Sequence, residues 1–491
     1  MKNLKFIILT LFSGLIFTAC SSDDSEDFKE STTQVTENVN ESSKKFEVEN
    51  FLYRGMSDIY LYKKDVPVLA DNYFNTTADK NAYFAQFSTP SKLFDKLTSS
   101  QDRFSYIMED YRENNKSSAG STMTNGMSYG LVSYCNSCNE VFGYVRFVFP
   151  NSSASEKGVK RGMIFNRVNG QQLNKSNFQS LLASGTYSIG LAKIENNNIS
   201  NQDQSISLTS RQQARNPVVM TKTLDVNGKK VGYIFYESFD QDYDEELNNA
   251  FGTLKAAGVS DLILDLRYNG GGSVRTATDL AAMITGQFAD KIFMKEKWNE
   301  KYQAYYESRD PESLLNKFNT KIRTGANINS LNLNRVFVLT SSSTASASEL
   351  IINGLDPYIE VIHIGDVTTG KFQASVALYD SPNFSKENSE LNRNHHYAIQ
   401  PLVLKSHNAN NVSDYVNGLT PDVSAKEDVL NLGPLGDENE ILFKVALDAI
   451  KGNRNSVPQV KEYNAVGESE MFKENYKEMY IDSRPLPVIN N

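Results

Sequence analysis

The sequence is poor in the side chains that build metal centres and disulfide frameworks. Its 491 residues include three Cys, four His and one Trp. Three Cys cannot form a disulfide framework, and four His leave little room for a His-rich metal centre. Cys135 and Cys138 lack a second Cys pair that would complete a zinc site, so we expect a local disulfide or two thiols in a hairpin loop. The sequence predicts no metal and no cofactor.

The chain also has fewer basic residues than acidic ones. The chain has 50 Lys and Arg against 59 Asp and Glu, which gives a net charge of −9. An acidic surface argues against nucleic-acid or anionic-membrane binding as the main task. The chain is 40% hydrophobic, and its glycines bring the apolar share into the range of about 45–50% that is usual for globular proteins. Its length predicts about three domains, at roughly 150 residues each.

Long apolar runs are absent apart from one near the N-terminus. Residues 1–19 combine a basic start with the apolar run 6–17, which is shorter than the about 20 residues that span a bilayer and is typical of a secretory signal. The residues before Cys20 are similar to a bacterial lipobox, with Phe17 where Leu is commonest. We therefore predict a lipoprotein signal peptide over 1–19 and lipidation of Cys20. An ordinary signal peptide cut near Ala19 is the alternative.

Residues 20–45 are polar and acidic, which predicts a disordered tether. The acidic run directly after the Cys resembles a surface-export signal of some Gram-negative lipoproteins. We expect an extracytoplasmic protein, lipid-anchored to a bacterial membrane at the outer membrane or the cell surface, that works without ATP.

The remaining chain divides into three parts and a tail. Residues 46–125 carry aromatic and Leu residues at helical spacing and predict a small helical domain without chemistry of its own. Residues 126–215 read as short alternating strands, and residues 216–455 alternate strands with amphipathic helices, as in an α/β sheet. Residues 456–491 fit either a tail or a dimer strap, and the oligomeric state stays open.

The second part carries a run that resembles PDZ domains. Ser152–Gly162 has small residues and glycines, and Met163–Gly170 ends in Asn-Gly; any small β-module with tight turns is the alternative. The resemblance implies that a substrate's C-terminus docks as an added strand, with its carboxylate held by backbone N–H groups. The matching loop is Tyr129, Gly130, Leu131 and Val132. The implied partners are proteins or peptides with free C-termini.

Two glycine- or serine-rich junctions follow strands in the third part. Gly270–Gly272 can bring backbone N–H groups close to a substrate because no Cβ intervenes; a plain tight turn is the alternative. Ser346 stands between the strand RVFVLT and a helix, where N–H groups and the helix dipole stabilise negative charge. Ser346 and Glu349 also fit a capping box, which is the alternative there.

A nearby general base would favour Ser346 as a nucleophile over Ser346 as a helix cap. No His in the sequence stands in a context that is typical of a catalytic triad. Lys371 follows the strand VIHIG and can act as a base if burial lowers its pKa from about 10.4. Gly365–Lys371 also fits a phosphate-binding loop, but Phe372 replaces the required Ser or Thr.

The order PDZ-like module, DLRYNGGGS, TASASE and GDVTTGK resembles the C-terminal-processing (tail-specific) serine peptidases over about residues 129–451. Ser346 aligns with the family's nucleophile, and Lys371, 25 positions later, aligns with its Lys. The resemblance implies a multidomain α/β fold with a helical cap, a PDZ-like β-module and a crotonase-like α/β peptidase core. It also implies a Ser-Lys dyad whose oxyanion hole uses Ala347 with Gly271 or Gly272.

Two positions depart from the family pattern. Ser375 stands where a Gln often orients the base, and Gln373 is our candidate for that third catalytic role. The glycine run has Gly270 where Pro is common. We predict an exported serine endopeptidase; the alternative is an inactive relative that binds a peptide or an apolar ligand, as the retinoid-binding repeats of the eye do.

Overall fold

The computed structural model describes residues 45–114, 121–195, 198–453, 457–473, 476–481 and 486–489. Cys20, the predicted signal peptide and nearly all of the predicted tether lie outside these ranges. No helix among the described residues is long and apolar enough to cross a membrane.

The N-terminal part is mainly helical. Apolar residues at helical spacing bury one face of its first helix, including Phe51, Leu52 and Met56. Thr76 and Thr89 cap the next two helices with their side chains. The elements are α1 Glu47–Ile59, α2 Thr77–Phe84, α3 Pro90–Leu97, β1 Tyr106–Met108 and α4 Tyr111–Asn114, with 3-10 turns at Lys63–Asp65 and Pro67–Leu69.

Residues 121–214, here called the β-module, form an antiparallel sheet. Its elements are β2 Ser121–Thr124, β3 Met127–Ser133, β4 Val141–Val148, α5 Ser153–Glu156, β5 Ile164–Val168, β6 Gln171–Gln172, α6 Phe178–Leu182, β7 Tyr187–Glu195, β8 Asn198–Leu208 and β9 Arg211–Ala214. The main sheet runs β3-β4-β5-β7-β8 over a core that includes Val145, Phe165 and Ile189. Cys135 and Cys138 form a disulfide between β3 and β4. Of the two states expected for this pair, the structure therefore has the disulfide.

The third part is built on a six-stranded sheet in the order β10-β11-β12-β16-β17-β22. Its strands are β10 Val218–Val226, β11 Lys229–Tyr236, β12 Asp261–Asp265, β16 Arg335–Thr340, β17 Glu360–Gly365 and β22 Val423–Ser424. All neighbours from β11 to β22 are parallel, and β10 is antiparallel to β11. The central strands β12 and β16 are mainly apolar and almost entirely buried, as expected for parallel strands that are covered on both faces.

The helices of this part are α7 Asp244–Ala256, α8 Val274–Thr285, α9 Glu300–Arg309, α10 Ala347–Leu355 and α11 Ile441–Ile450, with 3-10 turns at Gln241–Tyr243 and Pro311–Leu314. A second sheet runs β13-β24-β18-β21-β14-β15, and a third runs β1-β20-β19. Their strands are β13 Gly272–Ser273, β14 Ile292–Trp298, β15 Leu315–Lys317, β18 Gln373–Ser375, β19 Leu378–Tyr379, β20 Ala398–Gln400, β21 Leu402–His407 and β24 Met479–Tyr480.

Strand pairing departs from expectation in two parts of the chain. β1 pairs with β20, so the N-terminal part contributes a strand to the third sheet and is not purely helical. The C-terminal residues also form strands, since β23 Ala465–Glu468 pairs with β3 and β24 pairs with β13 and β18. A 3-10 turn at Ser469–Phe472 follows β23.

A network of buried ion pairs lies behind the glycine run. Arg267 has no exposed side-chain surface and pairs with Asp265, Glu427 and Glu440 at 2.8, 2.9 and 2.7 Å. Arg161 binds the same Glu427 at 2.7 Å. Because both guanidinium groups face it, the pKa of the Glu427 carboxyl is lowered to about 2. These charges are paired and hydrogen-bonded on several sides.

Candidate active site

Three loops meet because the strands before them are parallel neighbours. β12, β16 and β17 lie side by side, and their carboxyl ends lead into the glycine run, the Ser-rich loop and the Lys371 loop respectively. The carboxyl edge of a parallel sheet is where such folds gather functional groups. Sheet topology therefore brings together segments that are far apart in the sequence.

Ser346 is the N-cap residue directly before α10, and its backbone has an unusual conformation. Its φ is 67° and its ψ is −116°, a backbone geometry that L-residues with a Cβ rarely adopt. The residue is fully buried, and its Oγ has no hydrogen-bond partner among the described residues. A buried hydroxyl without a partner is costly, which distinguishes Ser346 from a Ser that only caps a helix.

Glu349 ties the Ser-rich loop to the Lys371 loop. Its Oε2 accepts the N–H of Ser346 at 2.7 Å and the N–H of Lys371 at 2.8 Å. Its Oε1 accepts the N–H of Gly370 at 2.7 Å and the hydroxyl of Thr368. Burial raises the pKa of Glu349, and these hydrogen bonds oppose the rise. One carboxylate oxygen thus fixes the backbones of both predicted dyad residues.

Lys371 is only 1% exposed. Burial lowers its pKa to about 8, while the charges of Glu478, Asp102 and Glu349 oppose the shift. The Nζ of Lys371 lies 4.9 Å from the centre of the Phe104 ring. Such a Lys has a substantial neutral fraction at neutral to mildly alkaline pH, and only the neutral amine can accept a proton.

The glycine run passes directly beside Ser346. Gly271 has φ 110°, and a Cβ added there would lie 2.6 Å from the Cβ of Ser346 and 3.1 Å from the backbone nitrogen of Ala347. Only glycine permits this close approach. The N–H of Gly271 donates to Oδ1 of Asn269 at 2.9 Å. Of the three predicted oxyanion donors, Gly271 therefore has its N–H engaged in a hydrogen bond within the chain.

Gln373 lies on β18, two residues after Lys371. Its Nε2 donates to the hydroxyl of Tyr62 at 2.6 Å, and its Oε1 is buried without a partner among the described residues. Ser375 donates to the backbone carbonyl of Met479 at 3.1 Å. Gln373 is thus directed to the N-terminal part, and a contact with the Lys371 amine is not observed among its hydrogen bonds.

The proposed peptide-binding residues form a strand instead of a loop. Tyr129, Gly130, Leu131 and Val132 lie inside β3, with β4 on one side and β23 on the other. Alternating apolar side chains extend the strand through this run, which is why the expected loop is absent. Strand addition by a peptide uses an exposed sheet edge, and on the side of β3 away from β4 that position is taken by β23.

Sequence reasoning missed four residues that contribute to this site. Asp102 and Phe104 of the N-terminal part face Lys371, although no chemistry was predicted for that part. Arg103 donates to the carbonyl of Gly370 at 2.8 Å, so the N-terminal part also forms a hydrogen bond with the Lys371 loop. Glu478 comes from the tail. No local motif marks these residues, because long-range packing alone brings them to the site.

Comparison with known proteins agrees with this geometry. Residues 230–423 match the family model described as Peptidase family S41, and residues 47–106 match the Peptidase S41 N-terminal domain. Among the described residues, no group of three or more His, Cys, Asp or Glu side chains is arranged to hold a metal ion.

Individual relatives point the same way. The carboxyl-terminal-processing protease of Picosynechococcus sp. is 23% identical over 249 residues, which are 50% of this chain and 51% of that protein. The chloroplastic carboxyl-terminal-processing peptidase 1 of Arabidopsis thaliana is 28% identical over 225 residues, 45% of this chain and 42% of that protein. The matches span about half the length of these curated relatives.

A solved structure supports the fold over a larger span. The crystal structure of a putative S41 protease from Bacteroides fragilis is 26% identical, has a TM-score of 0.62, and covers 82% of this chain and 97% of its own. The predicted multidomain α/β fold is confirmed. The chain belongs to peptidase family S41, the family that its C-terminal-processing motifs predict.

Proposed function

We propose that the protein is a serine endopeptidase in which Ser346 and Lys371 form the catalytic dyad. One observation carries the proposal: Ser346, whose buried hydroxyl has no partner among the described residues, and the buried Lys371 both donate their backbone N–H to the same Glu349 oxygen. Structural Ser and Lys residues are normally satisfied or exposed. The membership of family S41 supports the same assignment.

The reaction follows from these groups. Neutral Lys371 takes the proton of Ser346 while Oγ bonds to the scissile carbonyl carbon. As the C–N bond breaks, the protonated amine returns the proton to the leaving nitrogen, which releases one product and leaves an acyl ester on Ser346. A water molecule then attacks the ester carbonyl while Lys371 accepts its proton; as the bond between the acyl carbon and Oγ breaks, Lys371 returns the proton to Oγ, which releases the second product as an acid and restores Ser346.

Negative charge develops on the carbonyl oxygen in both steps. We assign its stabilisation to the N–H of Ala347, at the positive end of the α10 dipole, together with Gly272 or Gly271. For Gly271 to donate, its hydrogen bond to Asn269 must be released. Gln373 remains our candidate for a positioning role, acting on the site through Tyr62.

We further propose that the β-module docks substrates with free C-termini along the β3 edge. β3 already accepts an added antiparallel strand in this structure, with Leu131 opposite Gly467. Main-chain hydrogen bonds give such docking its affinity, and the neighbouring side chains give it selectivity.

The proposed location is outside the cytoplasm, with lipidation of Cys20. Metabolic labelling with a fatty acid should mark the full chain and leave a Cys20→Ala variant unlabelled. Equal labelling of both forms would contradict the proposal.

The peptidase is tested with residues 21–491 and the matched Ser346→Ala variant. Each is incubated with casein, and the fragments are identified by mass spectrometry. We expect cleavage by the unsubstituted protein and none above background by the variant, with superimposable circular dichroism spectra. Cleavage by both forms would exclude Ser346 as the nucleophile.

A further inference from the structure

Residues 465–481 run along two separate sheets, and we call the described part of this segment the C-terminal strap. At one end, Glu468 lies opposite Gly130 in an antiparallel ladder with β3. At the other end, Met479 lies opposite Gly272 and Tyr480 lies opposite Ser375, both in parallel ladders. One stretch of chain thus joins the β-module to the active site.

β24 is an interior strand of its sheet. Its two neighbours are β13, which ends the glycine run, and β18, which begins two residues after Lys371. These neighbours are therefore the flanks of the catalytic loops themselves. The space between them is a slot with the width of one extended strand, because neighbouring strands of a sheet lie about 4.8 Å apart.

Glu478 lies at the reacting end of this slot. Its backbone carbonyl packs against Gly271, where an added Cβ would come within 2.5 Å of the oxygen. Its carboxylate is buried near Lys371, and its Oε1 has no hydrogen-bond partner among the described residues. A carbonyl beside the predicted oxyanion donors and a side chain facing the base are what a bound substrate residue would present.

Glu468 anchors the other end. Its carboxylate pairs with the buried guanidinium of Arg146 and accepts the hydroxyl of Ser343, three residues before Ser346. Arg146 itself donates to Ser343 at 3.0 Å. The side chains of Arg146 and Glu468 are each 8% exposed, so this is a desolvated carboxylate site shared by the β-module and the Ser-rich loop.

We infer that the β3 edge and the slot between β13 and β18 are one binding site for an extended peptide, and that the C-terminal strap fills it as an internal ligand that substrates must displace. The inference rests on the proposed function for the identity of that substrate. The fitting ligand is an extended peptide that places a carboxylate, from an acidic side chain or a C-terminus, between Arg146 and Ser343.

The test severs the strap after folding. A recognition sequence for a site-specific protease is inserted between Gln459 and Val460, in a stretch where Gln459 and Lys461 are exposed. The protein folds intact and is then cut, and the released strap is separated by gel filtration before the assays, so folding takes place with the strap present. Casein turnover is compared before and after cutting, and an uncut protein without the insertion, exposed to the same protease, is the matched control.

We expect the cut protein to cleave casein at least ten times faster than the intact chain. A synthetic peptide of residues 463–481 should return the rate to that of the intact chain. Turnover that is unchanged by cutting would overturn the inhibitory role of the strap. Glu468→Gln in the intact chain is a second variant, which keeps the size of the side chain, removes its charge and should raise the casein rate.

Binding is measured without catalysis in the cut Ser346→Ala protein. A fluorescent 463–481 peptide should bind it, and the same peptide carrying Glu468→Gln and Glu478→Gln should bind at least tenfold more weakly. Peptides that end at Glu468 with a free acid or an amide distinguish side-chain from C-terminal recognition. No binding to a cut protein with a native spectrum would overturn the inferred site. Binding without casein cleavage by any form would support the site and refute the proposed peptidase.

Discussion

Arg267 and Lys371 are both buried cations beyond the carboxyl ends of strands in one parallel sheet, but their surroundings differ. Arg267 has three carboxylate partners within 2.9 Å. Lys371 has no ion pair among the described residues and faces an aromatic ring, with the nearby carboxylates acting over longer distances. The first arrangement stabilises a charge, and the second makes a charge easy to lose.

The same contrast holds for the neutral polar groups. Tyr268, beside Arg267, donates to Glu427 at 2.6 Å, whereas Ser346 Oγ and Glu478 Oε1 are unpartnered within the described chain. Buried polar atoms without partners reduce stability, and proteins retain them mainly where function requires them. The polar groups named here thus differ: Tyr268 beside Arg267 is hydrogen-bonded, and the two atoms of the proposed active site are not.

Replacing each cation by Met should give opposite results. Lys371→Met should lower casein turnover at least about 10³-fold, since it removes the proposed base, while the free energy of unfolding changes little because an apolar side chain of similar size replaces a desolvated amine. Arg267→Met should lower the free energy of unfolding by about 3–5 kcal/mol, because three buried carboxylates lose this guanidinium and, of the three, Glu427 keeps its ion pair with Arg161. Urea titration and the casein assay measure both quantities. A large stability loss in Lys371→Met would remove the distinction.

Adding a methyl group at a glycine of the active site and at a glycine far from it tests the same contrast. Gly271→Ala should lower turnover about 10²-fold, a loss in the range seen when one oxyanion donor is removed, because its Cβ would press on Ser346 and on the Glu478 carbonyl. The matched control is Gly258→Ala, which has a positive φ of 72° and open space around the added atom.

Backbone strain alone should cost the control about 1 kcal/mol of stability and leave turnover intact. Both variants are compared by turnover and urea titration. Equal activity in the two variants would show that the glycine run does not border the reacting atoms.

The smallest predicted effect is on the pH dependence. Because the pKa of Lys371 is lowered to about 8, turnover should rise with pH as the amine loses its proton and should level off above pH 8. The same shift means that the unfolded chain holds this proton up to about pH 10.4, so the contribution of Lys371 to stability increases between pH 8 and that value. Initial rates from pH 6 to 9.5 measure the profile. A flat profile would indicate that Lys371 is not the base.

The sequence allowed the dyad to be predicted because its two residues lie in short motifs with a fixed spacing. The parallel sheet could be predicted equally well, since RVFVLT and DLILD are mainly apolar runs between helices with clear periodicity. Strand ends at one edge then imply that the loops after them meet.

Residues that reach the site through long-range packing could not be predicted from the sequence in this way. Glu478 lies in a segment that forms a two-residue strand, too short to leave a periodic pattern. Phe104 lies among aromatic residues that are typical of any helical core. Glu349 was recognised only as a capping partner of Ser346, because its bonds to Gly370 and Lys371 depend on the approach of the next loop.

The double attachment of the C-terminal strap has a consequence for competition. Its two bound ends are joined by residues 469–477 alone, so an end that detaches stays at an effective concentration in the millimolar range for a tether of this length. A ligand that covers only the β3 edge or only the slot must compete with that local concentration. A long unfolded polypeptide that reaches both places replaces the two contacts together, so avidity would select for extended chains over short peptides and folded proteins.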